Sequence, residues 1–197
     1  MTQPVVYMIA GPNGAGKTTA AMRLLPDFLS VHEFVNADEI ARGLNPLDPA
    51  GQDVAAGRLM LERIDALVAA GKNFAFETTG ASRAFITKLR QAKAAGFTLG
   101  LVYLWLGHVD FAKFRIRIRV AQGGHDIPAD VIERQYKRGV HNIWHHYFPL
   151  VDRASFFENT LPSAYLELIA EKCDGCVQIY RPDIWKAIQL AAGAQDD

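Results

Sequence analysis

The sequence predicts an α/β fold of three layers, a mostly parallel sheet between two layers of helices, and three observations predict it. Short apolar, β-branched runs alternate with longer segments of helical periodicity, as parallel strands joined by crossover helices require. The first apolar run leads directly into a glycine-rich turn and a helix. The 197 residues, half of them hydrophobic, suit a single domain over 1–197 with a core large enough to need no disulfide or metal staple.

The elements follow in order. Val5-Val6-Tyr7-Met8-Ile9-Ala10 is continuously apolar and reads as a buried parallel strand. A helix runs from about Lys17 to Leu25, and a short strand, His32 to Val35, ends in Asn36-Ala37-Asp38. Between about Gln52 and Ala70, the spacing of Met60, Leu61, Ile64, Leu67 and Val68 makes one apolar helical stripe, which Gly71 ends. Asn73-Phe74-Ala75-Phe76 forms a third strand ending at Glu77. A helix from about Ser82 to Ala95 stops at Gly96, and Phe97 to Leu106 is a long buried strand. Two helices, about Val109 to Gln122 and Ala129 to Tyr147, flank Gly123-Gly124-His125-Asp126-Ile127-Pro128. Short strands near Ala154 to Phe157 and Val177 to Tyr180, a helix after Pro182 and a fraying tail over Ala191 to Asp197 complete the chain.

Composition narrows the function classes. Lys plus Arg is 21 and Asp plus Glu is 21, a net charge of zero. That balance excludes a general polyanion binder and disfavours nucleic acid as a partner, while leaving room for a local basic groove. No stretch approaches the roughly 18 apolar residues of a membrane span, and the run from Val5 to Ala10 is too short for a signal segment. The chain reads as soluble and cytoplasmic, with no membrane partner. Cys173 and Cys176 make one Cys-x-x-Cys. Its form is that of a redox or half-metal motif. No second pair completes a zinc site, so two thiols near a strand start in a reducing compartment is the simpler reading.

The strongest signal is Gly11-Pro12-Asn13-Gly14-Ala15-Gly16-Lys17-Thr18, which fits G-x-x-x-x-G-K-[ST] at every fixed position, with Thr19 next to it. Glycines in such a loop let successive N–H groups turn inward around phosphate oxygens, and the following helix adds its positive end. Lys17 is placed to reach the β- and γ-phosphates of ATP and Thr18 to ligate Mg²⁺. The context, between a buried strand and a helix, makes this a three-layer P-loop NTPase or kinase fold. Ligands of open parallel sheets bind beyond the carboxyl ends of the strands. Asp38 follows strand two and Glu77 follows strand three, so both carboxylates converge on the γ-phosphate side. One would accept a proton from an attacking hydroxyl and the other would help to hold Mg²⁺. A helix cap or a surface acid is the plain alternative for each residue taken singly.

Downstream, Arg115 and Arg119 are i, i+4 neighbours on one helix, and Arg134, Arg138, His141 and His145 share one face of the next. A solvated outer face explains these charges. So does a helical lid over about 109–147, closing around Gly123-Gly124 to bring Arg119 and Arg134 over the transferring phosphoryl, where such an arginine is worth about 10³–10⁵ in rate. His141 and His145 have metal-ligand spacing beside His146 but lack a third identifiable ligand, so cleft-facing histidines are the default. Trp105, Trp144 and Trp185 read as packing aromatics.

Four segments together carry a family likeness: Gly11 to Thr18, Asn36-Ala37-Asp38, Glu77-Thr78-Thr79-Gly80, and Arg119 with Gly123 to Pro128. Over about Val5 to Tyr180 the chain resembles the zeta-toxin family, in particular its small bacterial branch, also labelled predicted ABC-type ATPase. The resemblance implies a kinase that transfers the γ-phosphoryl of ATP to the 3′-hydroxyl of UDP-N-acetylglucosamine, a sugar nucleotide, and that is held inactive by an antitoxin protein. It implies that Asp38 is the base, Glu77 the acid on strand three, and Thr79 a substrate-binding threonine. It also implies that Arg115, Arg119 and Arg134 are lid arginines. The chain departs from the family at Ala81, where an arginine is expected, with Arg83 two positions later as the substitute. Rival readings are a phosphotransferase for another nucleoside, sugar or nucleic-acid end, and a P-loop ATPase switch. The ABC signature L-S-G-G-Q is absent from the sequence.

Overall fold

A computed structural model describes residues 3–27, 29–124, 126–160 and 166–193. The elements are β1 (Val5–Ala10), α1 (Lys17–Asp27), β2 (Glu33–Val35), α2 (Ala37–Leu44), α3 (Asp53–Ala69), β3 (Phe74–Thr78), α4 (Ala84–Ala94) and β4 (Thr98–Trp105). After them come α5 (Val109–Ala121), α6 (Ala129–Asn142), β5 (Arg153–Glu158), β6 (Glu167–Cys173), β7 (Cys176–Ile179) and α7 (Pro182–Ala192). A 3₁₀ turn, Ala50–Gln52, precedes α3, and α6 runs on into one wide π turn, Ile143–Tyr147, closed by the Phe148 amide donating to the Ile143 carbonyl at 2.8 Å.

The sheet has seven strands in the order β2-β3-β1-β4-β5-β6-β7. β2 to β5 pair in parallel through β3, β1 and β4, whereas β6 and β7 add an antiparallel edge. The α/β, mostly parallel prediction therefore holds, with two differences. β6 was not anticipated, because its charged positions Glu167, Glu171 and Lys172 break the apolar run that marks buried strands. The other is α2: the sequence pattern puts Asn36 at the end of a strand, yet its side-chain oxygen accepts from the Asp38 amide at 2.9 Å and starts a helix.

Helix α3 packs against both α2 and α4, and α6 packs against both α5 and α7. The central strands β1 and β4 are buried almost throughout, and Met8, Ile9, Phe74, Phe76, Tyr103 and Trp105 are among the largest fully enclosed side chains. Trp144 stacks on Phe148 and meets Trp185 edge-on, so all three tryptophans serve packing.

Two details fix the geometry of α5 and α6. Gly123, at φ +85°, takes the left-handed conformation, its amide bonds to the Val120 carbonyl and the Gly124 amide to Arg119. That double bond is a helix C-cap, and the glycine is needed there because other residues avoid this φ. The Gly123-Gly124 pair is thus a helix stop that shapes the α5–α6 connection; His125 lies outside the described residues. The second detail is Gly139, where a Cβ would come 2.6 Å from the Thr79 carbonyl oxygen, so α6 lies directly on the loop after β3.

Candidate active site

The phosphate loop joins β1 to α1. Gly14 and Gly16 both have φ +76°, and the Ala15 amide closes the turn on the Pro12 carbonyl at 3.1 Å. Lys17 is buried, with 7% exposure, and its Nζ donates to the Pro12 carbonyl at 3.1 Å while lying 3.8 Å from Glu77 Oε1. The parallel register that pairs Ile9 with Glu77 is what sets this carboxylate beside the loop.

Glu77 is the hub. Its Oε2 accepts from the Thr18 hydroxyl at 2.8 Å and from the Asn36 side-chain amide at 3.0 Å. Asn36 is itself buried and works in both directions, its NH₂ holding Glu77 and its oxygen capping α2, whose first turn carries Asp38. One asparagine therefore sets the spacing between the two carboxylates. Burial pushes the Glu77 carboxyl above the ordinary range; the Lys17 charge and the Thr18 hydrogen bond pull it back, and the neighbouring Asp38 and Glu39 charges push it up again. Burial likewise pulls the Lys17 ammonium down, opposed by Glu77 and Asp38 and reinforced by the like charge of Arg119. Both shifts have one origin, two ionisable groups held together out of water.

Asp38 is exposed and lines an open cleft of about 340 Å³ together with Lys17, Asn36, Glu77 and Thr79. The facing wall is apolar, from Met60 and Leu61 of α3 and Phe85 of α4. Among the described residues lining this cleft, Lys17 is the sole cation.

The arginines separate. Arg119 is half-buried on α5 and close enough to depress the Lys17 ammonium. Arg115 packs on the other side of the loop, its Cβ 3.0 Å from where a Gly14 Cβ would stand, and its guanidinium donates to the carbonyls of Gly14 at 3.1 Å and Asn159 at 2.5 Å. Burial lowers its pKa. It lies with the loop backbone and does not line the Asp38 cleft. Arg134 is exposed on α6 with no hydrogen bond or ion pair to another described residue. Arg83, read as a substrate ligand, does not line the Asp38 cleft; its Nε donates to Asn142 Oδ1 at 3.2 Å, and it opens onto a second cleft with Lys137, Arg138 and His141.

Several contacts here carry no sequence signal. Asn13 Nδ2 donates to Gln135 Oε1 at 2.6 Å, linking the phosphate loop to α6. Asn159 Nδ2 donates to the Ala15 carbonyl at 2.8 Å from the segment after β5. Asn142, 3% exposed, donates to the Gly80 and Ala81 carbonyls at 3.1 and 3.0 Å, and the Tyr147 hydroxyl donates to the Ser82 carbonyl. These bonds fix the loop over Gly80 to Ser82 that follows Thr79. His141 Nδ1 and His145 Nε2 both lie 3.1 Å from the Ala192 carbonyl, at the C-terminal end of α7. That is a place where histidine suits the helix dipole.

The geometry has counterparts. An uncharacterized protein of Haemophilus influenzae is 31% identical over 128 residues, 64% of this chain and 88% of that protein. In three dimensions the chain is similar to a structure from the PezAT toxin–antitoxin system of Streptococcus pneumoniae, with TM-score 0.65 and 13% identity over all of this chain and 81% of the other. It is also similar to AvrRxo1-ORF1:-ORF2 with ATP, with TM-score 0.75 and 14% identity over 99% of this chain and 65% of that one. A gluconokinase of Sinorhizobium meliloti follows at TM-score 0.51, 14% identity, 81% of this chain and 85% of that one. These likenesses concern the fold, an α/β P-loop architecture with small-molecule kinases among its neighbours. No helix of the described residues is long and apolar enough to cross a membrane. A family match over residues 6–139, from the phosphate-loop strand to the last turn of α6, shows that the chain belongs to the AAA domain family AAA_33, whose P-loop implies ATP binding.

Proposed function

We propose that this protein is an ATP- and Mg²⁺-dependent kinase of zeta-toxin type, transferring the γ-phosphoryl to a hydroxyl of a small acceptor, with UDP-N-acetylglucosamine as the first candidate. The observation that carries the reading is that Asp38, Lys17 and Glu77 line one cleft that is open to an incoming alcohol. In the reaction the acceptor oxygen bonds to the γ-phosphorus as its proton passes to Asp38, and the bond from that phosphorus to the bridging oxygen of ADP breaks. Lys17 and Arg119 hold the charge that spreads over the transferring oxygens. Arg134 and Thr19, both exposed, are further phosphate contacts in this reading. The Thr18 hydroxyl and the Glu77 carboxylate, 2.8 Å apart, are hard oxygen donors of the type Mg²⁺ takes. Bound there, Mg²⁺ would neutralise phosphate charge. Arg115 serves the nucleotide side through the Gly14 and Asn159 carbonyls. An antitoxin-like protein partner belongs to the same reading.

A second acceptor class is favoured by a specific feature. Among the described residues, the cleft beside Asp38 is lined by apolar wall and hydroxyl-matching groups and by no arginine for a diphosphate, Arg83 lining a second cleft. A neutral sugar or polyol fits that lining as well as a sugar nucleotide does. The experiment is to incubate the protein with ATP, Mg²⁺ and a bacterial metabolite extract, with UDP-N-acetylglucosamine tested first, and to follow by mass spectrometry any species that gains one phosphate. Asp38→Ala is expected to retain ATP affinity and to lose about 10²–10⁴ in transfer rate, the range for a general base. Full turnover by that variant would falsify the assignment of the base, and a product other than the sugar nucleotide would change the acceptor alone.

A further inference from the structure

The Cys-x-x-Cys segment is not spread along a strand: it wraps the turn of the β6–β7 hairpin. Asp174 at φ +52° and Gly175 at φ +79° are its two central residues, and Cys173 and Cys176 are register partners across it. Positive φ at both central positions is the type I′ turn that matches the twist of a hairpin. Residues directly opposite one another project from the same face of the sheet. The Tyr180 amide donates to the Ile169 carbonyl at 2.9 Å, and alternation from that bond along the ladder places Cys173 and Cys176 in the hydrogen-bonded class. Cα atoms in that class stand about 5.5 Å apart. This falls inside the roughly 4.4–6.8 Å that a disulfide spans. Both thiols are free and exposed, and Cys173 Sγ donates to Asp174 Oδ2 at 3.5 Å.

We propose that Cys173 and Cys176 are a reversible redox-modification site, forming a disulfide across the hairpin turn by exchange with a low-molecular-weight disulfide. One cysteine thiolate attacks a sulfur of the external disulfide, making a protein mixed disulfide and expelling one small thiolate. The other cysteine thiolate then attacks the protein sulfur of that mixed disulfide, closes the cross-strand bond and expels the second small thiolate. The two protons lost by the cysteines pass to the two leaving thiolates, so two protein thiols are oxidised and one external disulfide is reduced to two thiols.

The turn favours the second step over a second external attack, because it holds the resolving thiol opposite its target before reaction begins. The product stays reducible, since a bond across so short a loop recovers little chain entropy. The site is remote from phosphoryl transfer. β6 runs antiparallel to β5, with Lys172 opposite Ala154 and Glu167 opposite Glu158, so the cysteines lie at the end of the sheet away from Asn159 and the phosphate loop. Oxidation here closes the tip of an edge strand, β7, whose four residues are all exposed.

The test uses the full chain incubated with oxidised glutathione, quenched by alkylation and weighed intact. The expected wild-type product has lost two hydrogen atoms, carries no glutathione, takes up no alkylating agent and returns to two alkylatable thiols with reduced glutathione. Cys173→Ser and Cys176→Ser, which lack the resolving thiol, are each expected to accumulate a stable glutathione adduct. Wild-type protein that stays fully alkylatable, that holds adducts at the level of the single variants, or that runs as a disulfide-linked dimer on a non-reducing gel overturns the proposal. None of these readouts depends on kinase activity.

Discussion

Glu77 sits 3.8 Å from Lys17 and bonds to Thr18 and Asn36, yet its carboxyl remains raised because burial outweighs those contacts. A carboxyl raised in the folded state keeps its proton more tightly there than in the unfolded chain. The stability that this proton contributes is present below the unfolded value and is lost as pH rises through the folded one. The wild type is therefore expected to lose stability relative to Glu77→Gln as the pH climbs from the ordinary value of 4.5 toward neutrality. Nucleotide-free urea midpoints of the two proteins across that window measure it, and a difference that stays flat with pH would remove burial as the cause. A carboxyl shifted by burial beside a specific charge partner in an open cleft is the pattern of a candidate binding group.

At the scale of elements, the loop after β3 is as precisely held as a strand, and α6 holds it. Gly139 lets the helix backbone approach the Thr79 carbonyl, and Asn142 then satisfies the Gly80 and Ala81 carbonyls with one side chain. Asn142→Ala removes the donor from the buried Gly80 carbonyl, at a cost of about 1–3 kcal/mol, and from the half-buried Ala81 carbonyl as well. Its expected signature is a loss of stability together with a rise in acceptor KM that exceeds any rise in ATP KM, since Thr79 lines the Asp38 cleft while the ATP side is bound by other elements. Equal changes in both KM values would count against the loop as an acceptor wall. None of this was legible in the sequence. The positions of the phosphate loop after β1, Glu77 in β3 and Asp38 in the first turn of α2 just after β2 could be read because local pattern and topology agree there. Asn142, Gln135 and Asn159 act across sequence separations of 61, 122 and 144, which no local periodicity encodes. Arg83 shows the same limit: its number places it near Thr79, while in the fold its Nε bonds to Asn142 and it lines a different cleft from that of Asp38.

Across the whole molecule, the strand order puts β1 between β3 and β4, so the phosphate loop opens in the interior of the seven-stranded sheet, next to its middle strand. Partners reach it from both sides, Glu77 from β3 and the Arg115 and Asn159 contacts from α5 and the end of β5. A nucleotide bound there engages elements from distant parts of the chain, so its binding free energy should appear as global stability. At free ligand one hundred times Kd the gain is about 2.7 kcal/mol. For a domain of this size that corresponds to a rise in Tm of about 5–10 °C. Lys17→Ala is expected to abolish most of this rise with ATP and Mg²⁺. It should also lower nucleotide-free stability more at neutral pH than in acid, because Glu77 loses the cation that offsets its buried charge. Differential scanning fluorimetry at two pH values, with and without nucleotide, reads both effects at once. A Lys17→Ala protein that kept the full ATP-dependent shift would place the nucleotide somewhere other than this loop.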